Sequence, residues 1–111
     1  MEIDHQQKIR HFLKQLNIAI NNNDIYIERR DKNVETFEKF SLNDRDVLNI
    51  IKRIKIDDYI RGPEPDDKGR PGEIWIFKLK VSNKILYVKF CSTEKGQSGP
   101  IRCISFHENG I

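Results

Sequence analysis

Three segments in the second half of this sequence alternate polar with apolar side chains, a pattern typical of β-strands. Their polar positions carry groups that together can hold a phosphate, stack a nucleic-acid base and move protons. These positions are Lys78, Lys80, Tyr87, Lys89, Ser105 and His107. Because histidine suits proton transfer near neutral pH, His107 is the candidate general acid or base. Arg61 follows a predicted turn of helix and can reach the edge of the same surface, where its guanidinium can grip two phosphate oxygens.

Each of these side chains also has an ordinary structural explanation. Lysines on a solvent-facing strand often serve only solubility. Tyr87 fits equally well as a half-buried cross-strand partner, and His107 as an exposed polar residue near the end of the sequence. The pattern alone therefore leaves a binding surface, a catalytic site and a purely structural sheet open.

The three predicted strands position these groups on one face of a sheet. They are Glu73–Val81, Ile85–Cys91 and Ile101–His107, and the short connection through Ser82, Asn83 and Lys84 predicts a hairpin between the first two. Alternation places the apolar residues on the opposite face, which we expect to pack beneath the helices. That apolar set is Trp75, Phe77, Leu79, Leu86, Val88, Phe90, Ile104 and Phe106. The face that the helices leave free is called the open face below.

Two helices are expected in the first half of the sequence. The first has apolar residues at helical spacing, with Asp4 as its N-terminal cap and the asparagines 21–23 as its end. The second is predicted to begin at Ser41, with Asp44 completing a capping pattern. The apolar residues of the two helices are Ile9, Phe12, Leu13, Leu16, Ile20, Val47, Leu48, Ile51 and Ile54.

The remaining segments have weaker patterns. Ile25–Arg29 is β-branched and aromatic and predicts a short strand or arm, whereas 33–40 fits neither strand nor loop firmly. A short turn of helix is expected over Asp57–Ile60, and Pro63 prevents its continuation. Three prolines and two glycines within Pro63–Gly72 predict a long surface loop, and 93–100 predicts a polar connection.

Composition sets the broad class of the protein. The 111 residues suffice for one domain, 1–111, and 20 Lys plus Arg against 17 Asp plus Glu give a formal charge of +3, a mild attraction to polyanions. Cys91 and Cys103 match neither a zinc motif nor a disulfide scaffold, so we expect reduced, partly buried thiols and no metal. No apolar run approaches the roughly 20 residues that span a bilayer. We therefore expect a cytoplasmic protein with no membrane partner.

Several short motifs in the second half resemble the MqsR family of toxins from bacterial type II toxin–antitoxin systems, which have a RelE-like ribonuclease fold. The likeness covers about residues 42–107. It rests on the segments Asp58–Pro63, Arg70–Phe77, Leu86–Lys89 and Cys103–His107, which occur in the family's order. In fold, the resemblance implies an α+β protein with two helices packed on one face of a small antiparallel sheet.

In function, the resemblance implies a metal-independent endoribonuclease that cleaves mRNA and inhibits growth until a cognate antitoxin protein binds it. The implied catalytic positions are Arg61, Tyr87, Lys89 and His107, with no cofactor. Further basic groups expected to bind RNA are Lys78, Lys80, Arg70 and Arg102. The chain departs from the family at Ile76, where a glutamine is expected, and at His107, where a lysine can stand. The alternative is a non-catalytic RNA- or protein-binding module with the same fold.

Overall fold

The computed structural model describes residues 4–92 and 100–108. In these residues the chain has an α+β fold with three α-helices and a five-stranded sheet, one helix more than expected. No helix among them is both long and apolar enough to cross a membrane. In chain order the elements are α1 (His5–Asn21), β1 (Ile25–Ile27), α2 (Asp31–Lys39), α3 (Asp44–Ile51), a 3-10 turn (Ile56–Asp58), β2 (Tyr59–Pro65), β3 (Glu73–Val81), β4 (Lys84–Ser92) and β5 (Ile101–His107).

The sheet has the strand order β1-β5-β4-β3-β2. β1 runs parallel to β5 and all other pairs are antiparallel, so the sheet is mixed and the expectation of a purely antiparallel sheet was wrong. The predicted bounds of β3 and β5 are confirmed, and β4 is one residue longer at each end. Ser82 and Asn83 connect β3 to β4 with φ of 48° and 65°. Left-handed conformations at both positions are those of a two-residue hairpin turn that matches the twist of the strands.

Helix α1 forms as its apolar spacing predicts. The Asp4 carboxylate accepts a hydrogen bond from the Gln7 amide at 2.9 Å, and Asn22 caps the C-terminus before Asn23 turns left-handed at φ 59°. The Phe12 ring stacks on Trp75, with ring centroids 4.6 Å apart. Aromatic packing against β3 therefore fixes α1 on the face opposite the open face.

Helices α2 and α3 differ from the sequence prediction. The unassigned segment 33–40 belongs to α2, whose Phe37 packs against Phe106 of β5 with ring centroids 5.7 Å apart. Ser41 does not begin the next helix, since it has a φ of 53° just after α2 ends. Asn43 caps α3 instead, in a reciprocal capping box with Asp46.

Strand β2 occupies residues expected to form a helical turn and the start of a loop. Because β2 is an edge strand, it tolerates the prolines at 63 and 65, which have no amide hydrogen to donate to a sheet. The strand runs very close to β3 at Gly62, whose φ is +128°. A Cβ atom there would lie 2.5 Å from the Ile74 carbonyl oxygen. The loop is consequently shorter than predicted and covers 66–72.

The buried apolar residues form two clusters, one on each face of the sheet. The larger cluster lies between the helices and the sheet and includes Phe77, Val88, Phe90 and Phe106. The smaller cluster lies on the open face and consists of Ile74, Ile76, Cys91 and Ile104. The placement of Ile104 beneath the helices was therefore wrong.

A β-bulge explains the position of Ile104. The register pairs Lys89 with Ser105 but Phe90 with Cys103, so Ile104 is an extra residue in β5. On the N-terminal side of the bulge, the residues of β5 therefore point to the faces opposite to those predicted. Cys103 belongs to the helix-side cluster, and Arg102 lies opposite Cys91 on the open face. Ser105 and His107 lie beyond the bulge and keep their predicted positions.

Candidate functional site

The register of the sheet aligns the predicted catalytic residues in two neighbouring rows of the open face. One row crosses the sheet as Arg61, Ile76, Lys89 and Ser105, and the next as Lys78, Tyr87 and His107. Adjacent strands lie about 4.8 Å apart, and rows two residues apart are separated by about 7 Å. A single phosphate group can therefore contact side chains from both rows.

His107 stands at the end of its row, half-buried, directly opposite Tyr87. Its Nδ1 atom is buried and has no hydrogen-bond partner among the described residues. Burial, together with the nearby cations Lys32 and Arg30, lowers the pKa of the imidazole below its ordinary value. At neutral pH the ring is therefore uncharged and able to accept a proton.

Tyr87 and Lys89 project from β4, the strand between β3 and β5. Both are half-buried, so their positions are more restricted than those of free surface side chains. In the described part of the chain, no carboxylate lies within ion-pair distance of the Lys89 ammonium. Lys89 is nevertheless near enough to Asp66 to help lower the pKa of that carboxyl. It therefore provides a positive charge on the central strand β4 of the open face, with no ion-pair partner among the described residues.

Arg61 lies at the β2 edge of the same row. Its Nε atom donates to the Glu64 carboxylate at 3.0 Å, and both side chains are exposed. An exposed pair of this kind contributes only about 0–1 kcal/mol, so a phosphate can compete for the guanidinium. Ile76 separates Arg61 from Lys89 and is only 2% exposed. The position where the resemblance implies a glutamine thus offers no polar group here.

The four residues expected to bind RNA fall into two groups. Lys78 and Lys80 are exposed on the open face. Arg70 instead binds the buried carboxylate of Asp66 at 2.9 Å within the loop after β2. A hydrogen bond from the Lys68 amide, with further help from Arg70, lowers the pKa of Asp66. Arg70 is therefore occupied in holding this loop together.

Arg102 lies on the open face at the far end from His107. One of its terminal nitrogens is 3.5 Å from the Glu28 carboxylate, and its Nε is buried without a hydrogen bond in the described residues. Its side chain is 30% exposed and lies opposite Cys91, in the row next to that of Lys89. Arg70 is therefore held in the loop after β2, whereas Arg102 borders the two rows and is paired with Glu28.

Sequence reasoning missed two basic residues beside His107. Arg30 and Lys32 stand at the start of α2 and line a cavity of about 340 Å³ together with Lys89 and His107. The signal available in the sequence was the spacing of Val34, Phe37 and Phe40, which predicts a helix over this segment. The contact of this helix with β5, which brings Arg30 and Lys32 to His107, depends on the tertiary fold and has no local sequence signal.

Both cysteines are free and buried. Cys91 donates a weak hydrogen bond to the Pro71 carbonyl at 3.7 Å, and burial raises the pKa of the Cys103 thiol, which keeps it protonated. No three His, Cys, Asp or Glu side chains come together to hold a metal ion within residues 4–92 and 100–108.

The chain matches no protein-family model, no curated protein and no solved structure.

Proposed function

We propose that this protein is an endoribonuclease that cleaves mRNA, similar to the MqsR toxins of type II toxin–antitoxin systems, and that a cognate antitoxin protein inhibits it. The observation that carries the proposal is the register of β2 to β5. It brings Arg61, Tyr87, Lys89 and His107 into two adjacent rows of one face. Such a combination of cations, a phenol and an imidazole meets the needs of RNA cleavage.

The proposed reaction is an in-line attack of the ribose 2′-oxygen on the adjacent phosphorus. A base removes the 2′-hydroxyl proton, the new oxygen–phosphorus bond forms, and the bond to the 5′-oxygen breaks. An acid gives a proton to that leaving oxygen, so the products are a 2′,3′-cyclic phosphate and a 5′-hydroxyl. His107 is the proposed base because its lowered pKa leaves the ring neutral at pH 7.

The remaining groups act on the phosphate itself. Lys89 is one row away from His107 and has no ion-pair partner in the described part of the chain, so its charge is available to the phosphorane. Tyr87 directly faces His107 and can donate its phenolic proton to a phosphate oxygen or to the leaving group. Arg61 can grip phosphate oxygens from the β2 edge once it leaves Glu64.

The second candidate is an RNA-binding module that does not cleave. The buried Ile76 between Arg61 and Lys89 favours it, because a catalytic polar group is missing from the centre of that row. The cationic rows would still bind a phosphate backbone in a salt-dependent way.

Expression in bacteria and cleavage assays on purified protein distinguish these functions. We expect induction of the protein alone to arrest growth, and co-expression of the product of the adjacent reading frame to restore it. Purified protein should cut RNA in the presence of EDTA. His107→Gln should slow cleavage by about 100- to 10,000-fold, the range for a lost general acid or base. Tyr87→Phe should also slow it, whereas His11→Gln and Tyr26→Phe, which alter exposed residues outside the rows, should not.

Two results would reject the proposed enzyme. RNA binding with a normal salt dependence and no cleavage would establish the binding module instead. Full cleavage by a correctly folded His107→Gln variant would remove His107 from the mechanism. Circular dichroism of each variant checks that the fold is intact.

A further inference from the structure

A cavity beside His107 extends the open face past the edge of the sheet. It lies where the start of α2 approaches β4 and β5, and its volume is about 340 Å³. β1 pairs with β5 only as far as Cys103, so α2 occupies the edge beyond it. The residues around the cavity are Arg30, Asp31, Lys32, Asn33, Lys89, Ser105 and His107.

The charges around this cavity are predominantly positive. Among the described residues that line it, Asp31 is the one carboxylate beside Arg30, Lys32 and Lys89. The Arg30 side chain is 42% exposed, and its Nε lies 3.5 Å from the Glu28 carboxylate. In the described part of the chain Lys32 forms no ion pair. A net positive charge therefore remains around the cavity.

Arg30 and Lys32 line this cavity together with His107, so their charges act on the imidazole ring. Lys32 and Arg30 both disfavour the charged imidazolium and contribute to the lowered pKa of His107. An anion placed among Arg30, Lys32 and His107 would be attracted by the same field.

We propose that the cavity binds the phosphate next to the scissile one in a single-stranded RNA, with Arg30 and Lys32 as its ligands. The choice of RNA rests on the proposed function. Arg61 and Lys89 lie in one row across the sheet, and the cavity continues that line past β5. The RNA backbone therefore crosses the strands, from the β2 edge over Lys89 and His107 to the start of α2.

The test uses an oligodeoxythymidylate of five nucleotides. It lacks the 2′-hydroxyl and so cannot be cleaved by the proposed route. The variant is Arg30→Gln with Lys32→Gln. The matched control is Arg10→Gln with Lys14→Gln, which removes the same two charges from the exposed side of α1. Affinity is measured by fluorescence anisotropy, and the His107 ring is followed by NMR through a pH titration with and without the oligonucleotide.

The cavity variant is expected to bind the oligonucleotide about 10- to 100-fold more weakly, as for the loss of charge-assisted hydrogen bonds, and the control much less. Its free His107 should titrate at higher pH than in the wild type. Oligonucleotide binding should raise the His107 titration midpoint in the wild type but much less in the cavity variant.

Equal losses of affinity in the two variants would overturn the inference, as would a His107 signal that the oligonucleotide does not alter. These outcomes are separate from those for cleavage. A wild type that binds in the cavity but never cuts RNA would contradict the proposed function and support the binding site. A cutting enzyme with unchanged affinity in the cavity variant would contradict only the binding site.

Discussion

His107 combines three properties that a proton-transfer residue needs. It faces Tyr87 across the strand pair, borders the cavity at the start of α2, and is neutral at pH 7 because burial and two cations lower its pKa. The charged groups on its other side are Lys39, Glu35 and Glu108, and Lys39 is already paired with Glu108. These properties suit the ring to the role of base in the proposed cleavage.

The pH dependence of cleavage follows from this environment. As a base, His107 works only when deprotonated, so kcat/KM should rise with pH and level off, with a midpoint below about 6.5, the ordinary histidine value. In Lys32→Gln the loss of one nearby cation raises the pKa of His107, and the rise should move to higher pH. A pH–rate profile measures both. A midpoint that stays fixed in Lys32→Gln would contradict the assignment.

At the scale of elements, Asn33 joins α2 to the bulged end of β5. Its side-chain amide donates to the carbonyls of Glu28 and Ile104, each at 2.9 Å, and its oxygen accepts from the Phe106 amide at 2.8 Å. The side chain is fully buried. It therefore takes the place of a neighbouring strand along the part of β5 that β1 does not cover.

Replacing Asn33 should separate the two elements that form the cavity. Asn33→Ala leaves buried backbone groups of Ile104 and Phe106 without partners, at a cost of about 1–3 kcal/mol each. We expect a loss of about 3 kcal/mol in unfolding free energy by urea denaturation. Asn17→Ala is the control, since Asn17 is exposed and its side chain donates to the Leu13 carbonyl within α1. Equal stability of the two variants would refute this role.

Sequence patterns predicted those elements whose local sequence preference is the same as the structure they adopt in the folded protein. Alternation located β3 and β5, and helical spacing with an Asp cap located α1. The strand β2 was missed because its prolines fit an edge strand as well as a loop, and only the fold shows which neighbour it has. Ile104 was misplaced because a bulge inserts one residue without a distinctive sequence signature.

The candidate site could also be predicted only in part. Tyr87, Lys89 and His107 share a face by alternation alone, and the register confirms that they are neighbours. Arg30 and Lys32 lie more than 50 residues earlier in the chain, and nothing local indicates that they approach His107. Their position depends on α2 packing along β5 through Phe37 and Asn33.

At the scale of the whole molecule, the two faces of the sheet have different roles. Helix α1 covers one face with aromatic packing, while the other carries the rows of basic side chains. The net charge of +3 is too small to make the entire surface attractive to nucleic acid, so the arrangement of the cations matters more than their number. Removing positive charge from the open face should therefore weaken RNA binding more than removing it from the side covered by α1.

Lys78 and Lys80 test this sidedness, because both are exposed on the open face outside the cavity. Lys78→Gln with Lys80→Gln should weaken binding of single-stranded RNA and reduce the slope of log affinity against log salt by about 0.7 for each phosphate that the protein no longer neutralises. Lys8→Gln with Lys14→Gln removes two lysines from the exposed side of α1 and should leave the slope unchanged. The slopes come from fluorescence titrations at several salt concentrations on the His107→Gln background, in which cleavage is expected to be slow. If the slope falls equally in both double variants, the RNA responds to total charge and the open face is not its binding surface.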